Sequence, residues 1–187
     1  MDKPVMRRTR RFDQYNPLRW ILLSMMLAAV VAAALHGPLM QGYARERAIA
    51  ATLRGVGGEV TFSEPDLPWP LSWMGDRYAS YYERIDAVDL SCSAATDDDL
   101  ELLGELYSLR TLRLRYTLIG DEGLRHVAAI RSLEEVSLDG TRVTDAGLAV
   151  LPGLANLKSV SVYATSVTSA GAATLASHGV EVMGDLR

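Results

Sequence analysis

The sequence predicts an α/β fold: a short solenoid, built as a parallel sheet with helical return segments, preceded by one transmembrane helix. Three observations carry this expectation. A 24-residue self-similarity runs from Ile85 to His178, and a fixed period of roughly 20–50 residues is the signature of stacked repeats. Within each period the apolar residues first alternate, as in a half-buried strand, and then recur at spacings of three, as on one helix face. Ahead of the repeats, Trp20 to Ala44 holds no charged residue if His36 is neutral, and Trp20 to Leu35 is apolar apart from Ser24.

The repeat is visible by eye. Leu133 begins LEEVSLDGTRVTDAGLAVLPGLAN. One step of 24 back, Leu109 begins LRTLRLRYTLIGDEGLRHVAAIRS; one step forward, Leu157 begins LKSVSVYATSVTSAGAATLASH. A further step back, Ile85 begins IDAVDLSCSAATDDDLELLGELYS. Ile85, Leu109, Leu133 and Leu157 share a column, as do Val88, Leu112, Val136 and Val160, then Leu90, Leu114, Leu138 and Val162. Later columns join Leu100, Leu124, Leu148 and Ala172, and Leu103, Val127, Leu151 and Leu175.

Each period translates into a strand, a turn and a return segment. Val136 and Leu138 lie two apart and point to one face of a strand. Thr144 supplies an N-cap hydroxyl, and Asp145 sits in the first turn, where the helix dipole favours negative charge. Leu148, Leu151 and Leu154 form one apolar stripe aimed back at the strand. A single unit cannot bury that stripe, so neighbours stack and terminal units need caps. The turn column Ser93, Thr117, Thr141 and Thr165 is expected to bond backbone where the strand ends. Gly123, Gly147 and Gly171 mark a close approach to a neighbouring backbone; Asp99 breaks that column, so the first repeat is expected to be irregular.

The pattern L-x-x-L-x-L followed by a turn resembles the leucine-rich repeat, over roughly the last hundred residues. TRVTDAGL, Thr141 to Leu148, resembles the bacterial form with Thr where many repeats place Asn. The resemblance implies the solenoid fold and is silent on ligand.

The amino-terminal part reads as a membrane anchor. Residues 1–19 form a basic tail with Lys3, Arg7, Arg8, Arg10, Arg11 and Arg19. Residues 20–40 would span roughly 31 Å as a helix, close to the hydrocarbon thickness of a bilayer. The heavier basic flank on the amino side puts the tail in the cytoplasm and the repeats across the membrane; the resemblance to bacterial repeats implies that they stand in the bacterial envelope. The competing reading is a cleaved signal peptide, with Gly42-Tyr43-Ala44 as a small-x-small site and a secreted repeat protein as its product. Signal peptides have shorter apolar cores, which favours the anchor.

Residues 41–84 are expected to form a juxtamembrane helix and an amino-terminal cap. Gln41 to Val56 reads as a helix with an apolar stripe of Ala44, Ala48, Ala51 and Leu53, ended by Gly57-Gly58. Val60 to Phe62 is expected as a cap strand, pairing parallel beside Val88 to Leu90 through a crossover helix over Ser72 to Arg84. The aromatics Trp69, Trp73, Tyr78, Tyr81 and Tyr82 would cover the open end of the core or, on a sharper reading, line a groove. Four repeats then occupy 85–178, and 179–187 close the sheet with the strand Val180 to Met183. His178 in the column of Leu106, Ile130 and Leu154, with Ala172 for Leu, predicts fraying of the fourth repeat.

Chemistry is sparse. His36, His126 and His178 fall in the anchor, on a return segment and at the closing cap, and no catalytic, cofactor-binding or metal-binding motif is visible, so no cofactor is expected. Asp97-Asp98-Asp99 aligns with the helix starts and reads as dipole stabilisation rather than a cation site. Cys92, the single cysteine, reads as a small packing residue. Beyond the first 35 residues the chain carries 13 basic and 21 acidic side chains, which argues against nucleic acid as a partner. The concave strand face remains. Its outward rows are Asp89, Arg113, Ser137, Ser161 and Ser91, Arg115, Asp139, Tyr163. Arg113, Arg115, Tyr116, Glu135, Asp139 and Tyr163 are the candidate protein-contact residues, since Arg and Tyr are enriched in interface hot spots. The alternative is that they are cross-strand partners only. The partner expected is another protein or an envelope component, or a second copy of the chain.

Overall fold

The computed structural model describes residues 17–63 and 83–186. It divides into two compact units, Met1–Gln41 and Gly42–Arg187. The first helix, α1, runs over Pro17–Gly55. Within its apolar part, side chains are described for residues 21–27 and 30, and all are solvent-exposed. The transmembrane helix expected over residues 20–40 is not recovered among the described residues, where no helix is long and apolar enough to cross a membrane.

The second unit is built on a six-stranded sheet of order β1-β2-β3-β4-β5-β6. Its strands are Glu59–Phe62, Ile85–Asp89, Thr111–Arg113, Glu135–Ser137, Ser159–Ser161 and Glu181–Met183. From β2 onward all pairs are parallel, and Val88, Leu112, Val136, Val160 and Val182 are successive partners across them. The 24-residue step is therefore a step of one strand, up to β5. The last coil is shorter, pairing Ser159 with Glu181.

The return segments are a 3-10 helix, Asp97–Glu105, then α2, Asp121–Val127, α3, Asp145–Leu148, and α4, Ser169–Ala176. The apolar columns identified above are all buried, from Ile85 to Leu157 and from Leu100 to Ala172. So is a column that the sequence reading passes over: Ala95, Ile119, Val143 and Val167. Each fully buried aliphatic side chain stabilises by about 1.5–3 kcal/mol, and no coil has enough of them to stand alone. Fraying of the fourth coil is confined to His178, which is exposed. Ala172, Leu175 and Val180 are buried, and Val180 helps to fill the end of the core.

The cap strand departs from expectation. β1 pairs with β2 antiparallel, with Val60 opposite Val88 and a register shift between Thr61 and Phe62. The right-handed crossover rule applies only to parallel pairs, and an antiparallel edge ends the ladder instead of extending it. The end of α1 packs here with a different face from the one expected. Ala44, Ala48 and Ala51 are exposed, while Glu46, Ile49, Ala50 and Leu53 are buried. Ile49 and Leu53 offer more apolar area than the alanines, so they take the core side. Glu46, 4 % exposed, accepts from the Ile85 amide at 3.1 Å and lies 3.5 Å from Arg84, joining helix to first coil. Of the crossover helix expected over Ser72 to Arg84, only Glu83 and Arg84 are described, and they are not helical; the remainder and the aromatic cover lie outside the described residues.

The strand ends share a backbone feature. Cys92, Tyr116, Gly140 and Ala164, one per coil at the 24-residue step, have φ of 56°, 55°, 68° and 54°. Only Gly adopts this left-handed region without steric cost, which for other residues is about 1 kcal/mol or more. One residue on, Thr117, Thr141 and Thr165 are buried, and their hydroxyls donate to the carbonyls of Leu114, Leu138 and Val162 at 2.7, 2.6 and 2.8 Å. Ser93 instead accepts from the Ala95 amide at 3.2 Å. Ala164 is exposed, so Ala164→Gly relieves the backbone without opening a cavity. We expect a gain of about 0.5–1 kcal/mol in urea unfolding, the steric relief exceeding the entropy that glycine returns to the unfolded chain. A loss of stability there would contradict the strained corner.

Candidate functional site

The concave face is assembled from side chains that alternate outward from β2 to β6, and from the corners that follow. Three ranks of charge cross it. Nearest the strand starts, Asp86, Arg110, Glu134 and Lys158 alternate in sign at one residue per coil. Arg110 lies 3.6 Å from Asp86 and 3.8 Å from Glu134, and Lys158 is 2.5 Å from Glu134. This rank escapes the sequence reading, which follows only the alternate positions facing straight outward. Its signal is present as a sign change at every 24th residue.

In the next ranks, Arg113 lies 3.9 Å from Asp89, and Arg115 Nε lies 3.2 Å from Asp139. Arg113 and Glu135 are both exposed. They border a shallow hollow of about 100 Å³ whose floor includes Ser137, Ser159, Ser161 and Met183. Exposed ion pairs like that of Arg113 contribute on the order of 0–1 kcal/mol, so these side chains are available to a partner at little cost.

Asp139 is different. It is 7 % exposed, and its carboxylate is saturated from within the fold. Oδ1 accepts from Ser161 Oγ at 2.5 Å and from the Tyr163 amide at 3.0 Å, and Oδ2 accepts from Ser137 Oγ at 3.2 Å. As a contact residue Asp139 is corrected to a buried anchor, which holds Arg115 and the β5 end in place. A charged group needs such partners before burial is tolerated.

Tyr116 and Tyr163 stand at the corners, exposed by 61 % and 44 %. The Tyr116 ring occupies the space over Gly140, where an added Cβ would lie 2.5 Å from its Cδ1. Cys92, expected to pack, is exposed because the left-handed turn ends the strand before its side chain can enter the core. His126 is half-buried on α2 and His178 exposed beside Thr174; His36 has no described side chain. Among the described residues, no group of three or more His, Cys, Asp or Glu is placed to hold a metal ion.

The opposite side of the coils is held by a repeated clasp. Asp97 accepts from the Gly120 amide at 2.9 Å. Asp121 accepts from the Thr144 amide and hydroxyl at 2.8 and 2.7 Å, and Asp145 does the same with Thr168 at 2.8 and 2.6 Å. The Thr144 and Thr168 hydroxyls in turn accept from the Ala146 and Ala170 amides, both at 3.2 Å. Each carboxylate thus caps the following coil's return segment, a role beyond the dipole stabilisation expected. Asp99 turns back on Thr96 in a capping box. Ser169 stands where a fourth clasp would begin.

The Thr168 hydroxyl and amide hold the Asp145 carboxyl below its usual range, burial opposing them weakly. Glu134 is lowered likewise, first by its hydrogen bond from Lys158 and then by the charges of Lys158 and Arg110. Lowered folded values stabilise the fold above the unfolded pKa, about 4 for these groups. That contribution is lost as pH falls through the folded values. Thr168→Val is therefore expected to cost more stability at pH 6 than at pH 2, read as the gap between urea midpoints. A gap independent of pH would mean that the clasp does not depend on an ionised Asp145.

No family model matches the chain, and neither does any curated protein.

Proposed function

We propose that this chain is a membrane-anchored, non-catalytic interaction module of the leucine-rich-repeat kind, displayed outside the cytoplasm. It binds another protein or an envelope component through its concave face. The observation that carries the reading is the exposed Arg113–Glu135 hollow on a parallel sheet, beside the exposed corner tyrosines Tyr116 and Tyr163. Such a face offers shape, hydrogen-bonding groups and both signs of charge, which is what recognition needs. The anchor is supported by the uncharged run after the basic tail and by the exposed Ile21–Leu27 side chains.

A photo-crosslinking residue in place of Glu135 is expected to capture one identifiable partner in intact cells, while the same residue in place of Arg125 on the convex side captures none. Equal capture from both positions, or none from either, would remove the concave face as a recognition surface. Reporter fusions after residue 187 test the orientation, with an extracytoplasmic signal expected.

A second reading is favoured by the β6 edge, where Met183 and Leu186 are each 40 % exposed: the chain self-associates through its solenoid. Light scattering on the detergent-solubilised full chain separates the two, since a monomer is expected here and a dimer under self-association.

A further inference from the structure

The corner segments 91–94, 115–118, 139–142 and 163–166 form one continuous rim. The Cys92 amide donates to Arg115, Tyr116 to Asp139, and Gly140 to Tyr163, at 2.8, 2.7 and 2.8 Å. We propose that the partner docks on this rim through a peptide segment carrying an acidic side chain flanked by aromatic or aliphatic ones. This rests on the interaction-module reading above, and names where on that face the partner sits and what it presents.

The first ground is how Tyr116 is held. Its backbone is in the left-handed region at φ 55°, where an aromatic residue weakens the fold relative to glycine. Its ring still is 61 % exposed. The equivalent corners carry Cys, Tyr and Ala at similar φ, so the corner conformation alone does not demand Gly140. What does is the Tyr116 ring, which fills the place of the missing Cβ. Two positions are thus given over to presenting one aromatic face.

The second ground is charge. Within the rim segments the charged side chains are Arg115, Asp139 and Arg142, and Asp139 is buried beneath Arg115. Arg142 is exposed and makes no ion pair among the described residues. An acidic domain therefore shows a cationic rim along these corners; the neighbouring Asp89 carboxylate is taken up by the Ser91 amide at 2.9 Å and by Arg113 at 3.9 Å. Leu118, 63 % exposed, lies next to Arg142, whose amide donates to Ile119 at 2.9 Å. Tyr and Arg are the residue types enriched in hot spots, the exposed Leu118 adds apolar area beside them, and the cations select an acidic partner segment.

The test is selection of a display library of short random peptides on the full-length chain in detergent. Enriched peptides are expected to pair Asp or Glu with Phe, Tyr, Leu or Ile. Their affinity is expected to fall at least about tenfold for Tyr116→Gly and for Arg142→Glu. Tyr116→Gly suits the backbone, so loss of binding with an unfolding midpoint that does not fall reads the ring and not the fold. Enrichment of basic peptides, no enrichment at all, or equal binding by both variants would overturn the proposal. The broader reading fails separately: cellular crosslinking from Glu135 that survives Tyr116→Gly leaves the module standing and sinks only the rim.

Discussion

A methyl group at position 147 is expected to destabilise the sheet unit by about 1–3 kcal/mol, although Gly147 is helical and Ala is the better helix former by about 1 kcal/mol. A Cβ there would overlap Asp121 Oδ1 and lie 3.1 Å from the Asp121 Cα. The carboxylate would have to leave the Thr144 amide and hydroxyl that it holds at 2.8 and 2.7 Å. Gly123 and Gly171 stand in the same relation to Asp97 and Asp145. The decisive measurement is a double-mutant cycle. In an Asp121→Ala background the seat is largely vacated, and Gly147→Ala should become nearly neutral. Additive losses in urea unfolding would show that the glycine is there for another reason.

Removing the Asp139 carboxylate is expected to cost about 2–4 kcal/mol, because four donors lose one acceptor in a nearly closed site. The Tyr163 amide and the Ser137 and Ser161 hydroxyls lose their bonds, and Arg115 loses its counter-charge. Asp139→Ala should therefore lower the thermal midpoint, while Arg113→Ala and Glu135→Ala leave it within about a degree. That contrast separates an anchor from a contact. Loss of partner binding in Asp139→Ala alone would report a disturbed floor, whereas loss in the exposed pair would report recognition. A thermal midpoint unchanged by Asp139→Ala would contradict the buried hub.

The clasp also bears on how the coils are coupled. The accepting carboxylates Asp97, Asp121 and Asp145 belong to coils that are followed by another return segment. The receiving glycines belong to coils that have a predecessor. In the first coil the glycine position is Asp99, and in the fourth the carboxylate position is Ser169. Both substitutions fall where the clasp has nothing to receive or to hold. The ends of the clasp row are thus written into the same columns that build it.

Much of the candidate site was legible before any coordinates. The Asp89–Arg113 and Arg115–Asp139 pairs follow from strand alternation and a spacing of about 4.8 Å between neighbours, and both occur. The antiparallel cap was not legible, because four residues of alternating sequence carry no direction. The apolar stripe of α1 was misread because alanines fit either side of a helix. The left-handed corners were hidden because only Gly140 among the four carries a residue type that announces the conformation.

By itself the sequence determined the period, the strand and return segments, and which columns face the core, since side-chain periodicity and burial are local properties repeated four times. Only the tertiary structure decided that Asp139 is an anchor, that the Asp column caps the next coil and that Gly140 seats Tyr116. Each of these depends on atoms about 23 to 24 residues apart meeting within hydrogen-bond or van der Waals distance, a relation that stacking creates and one coil cannot contain.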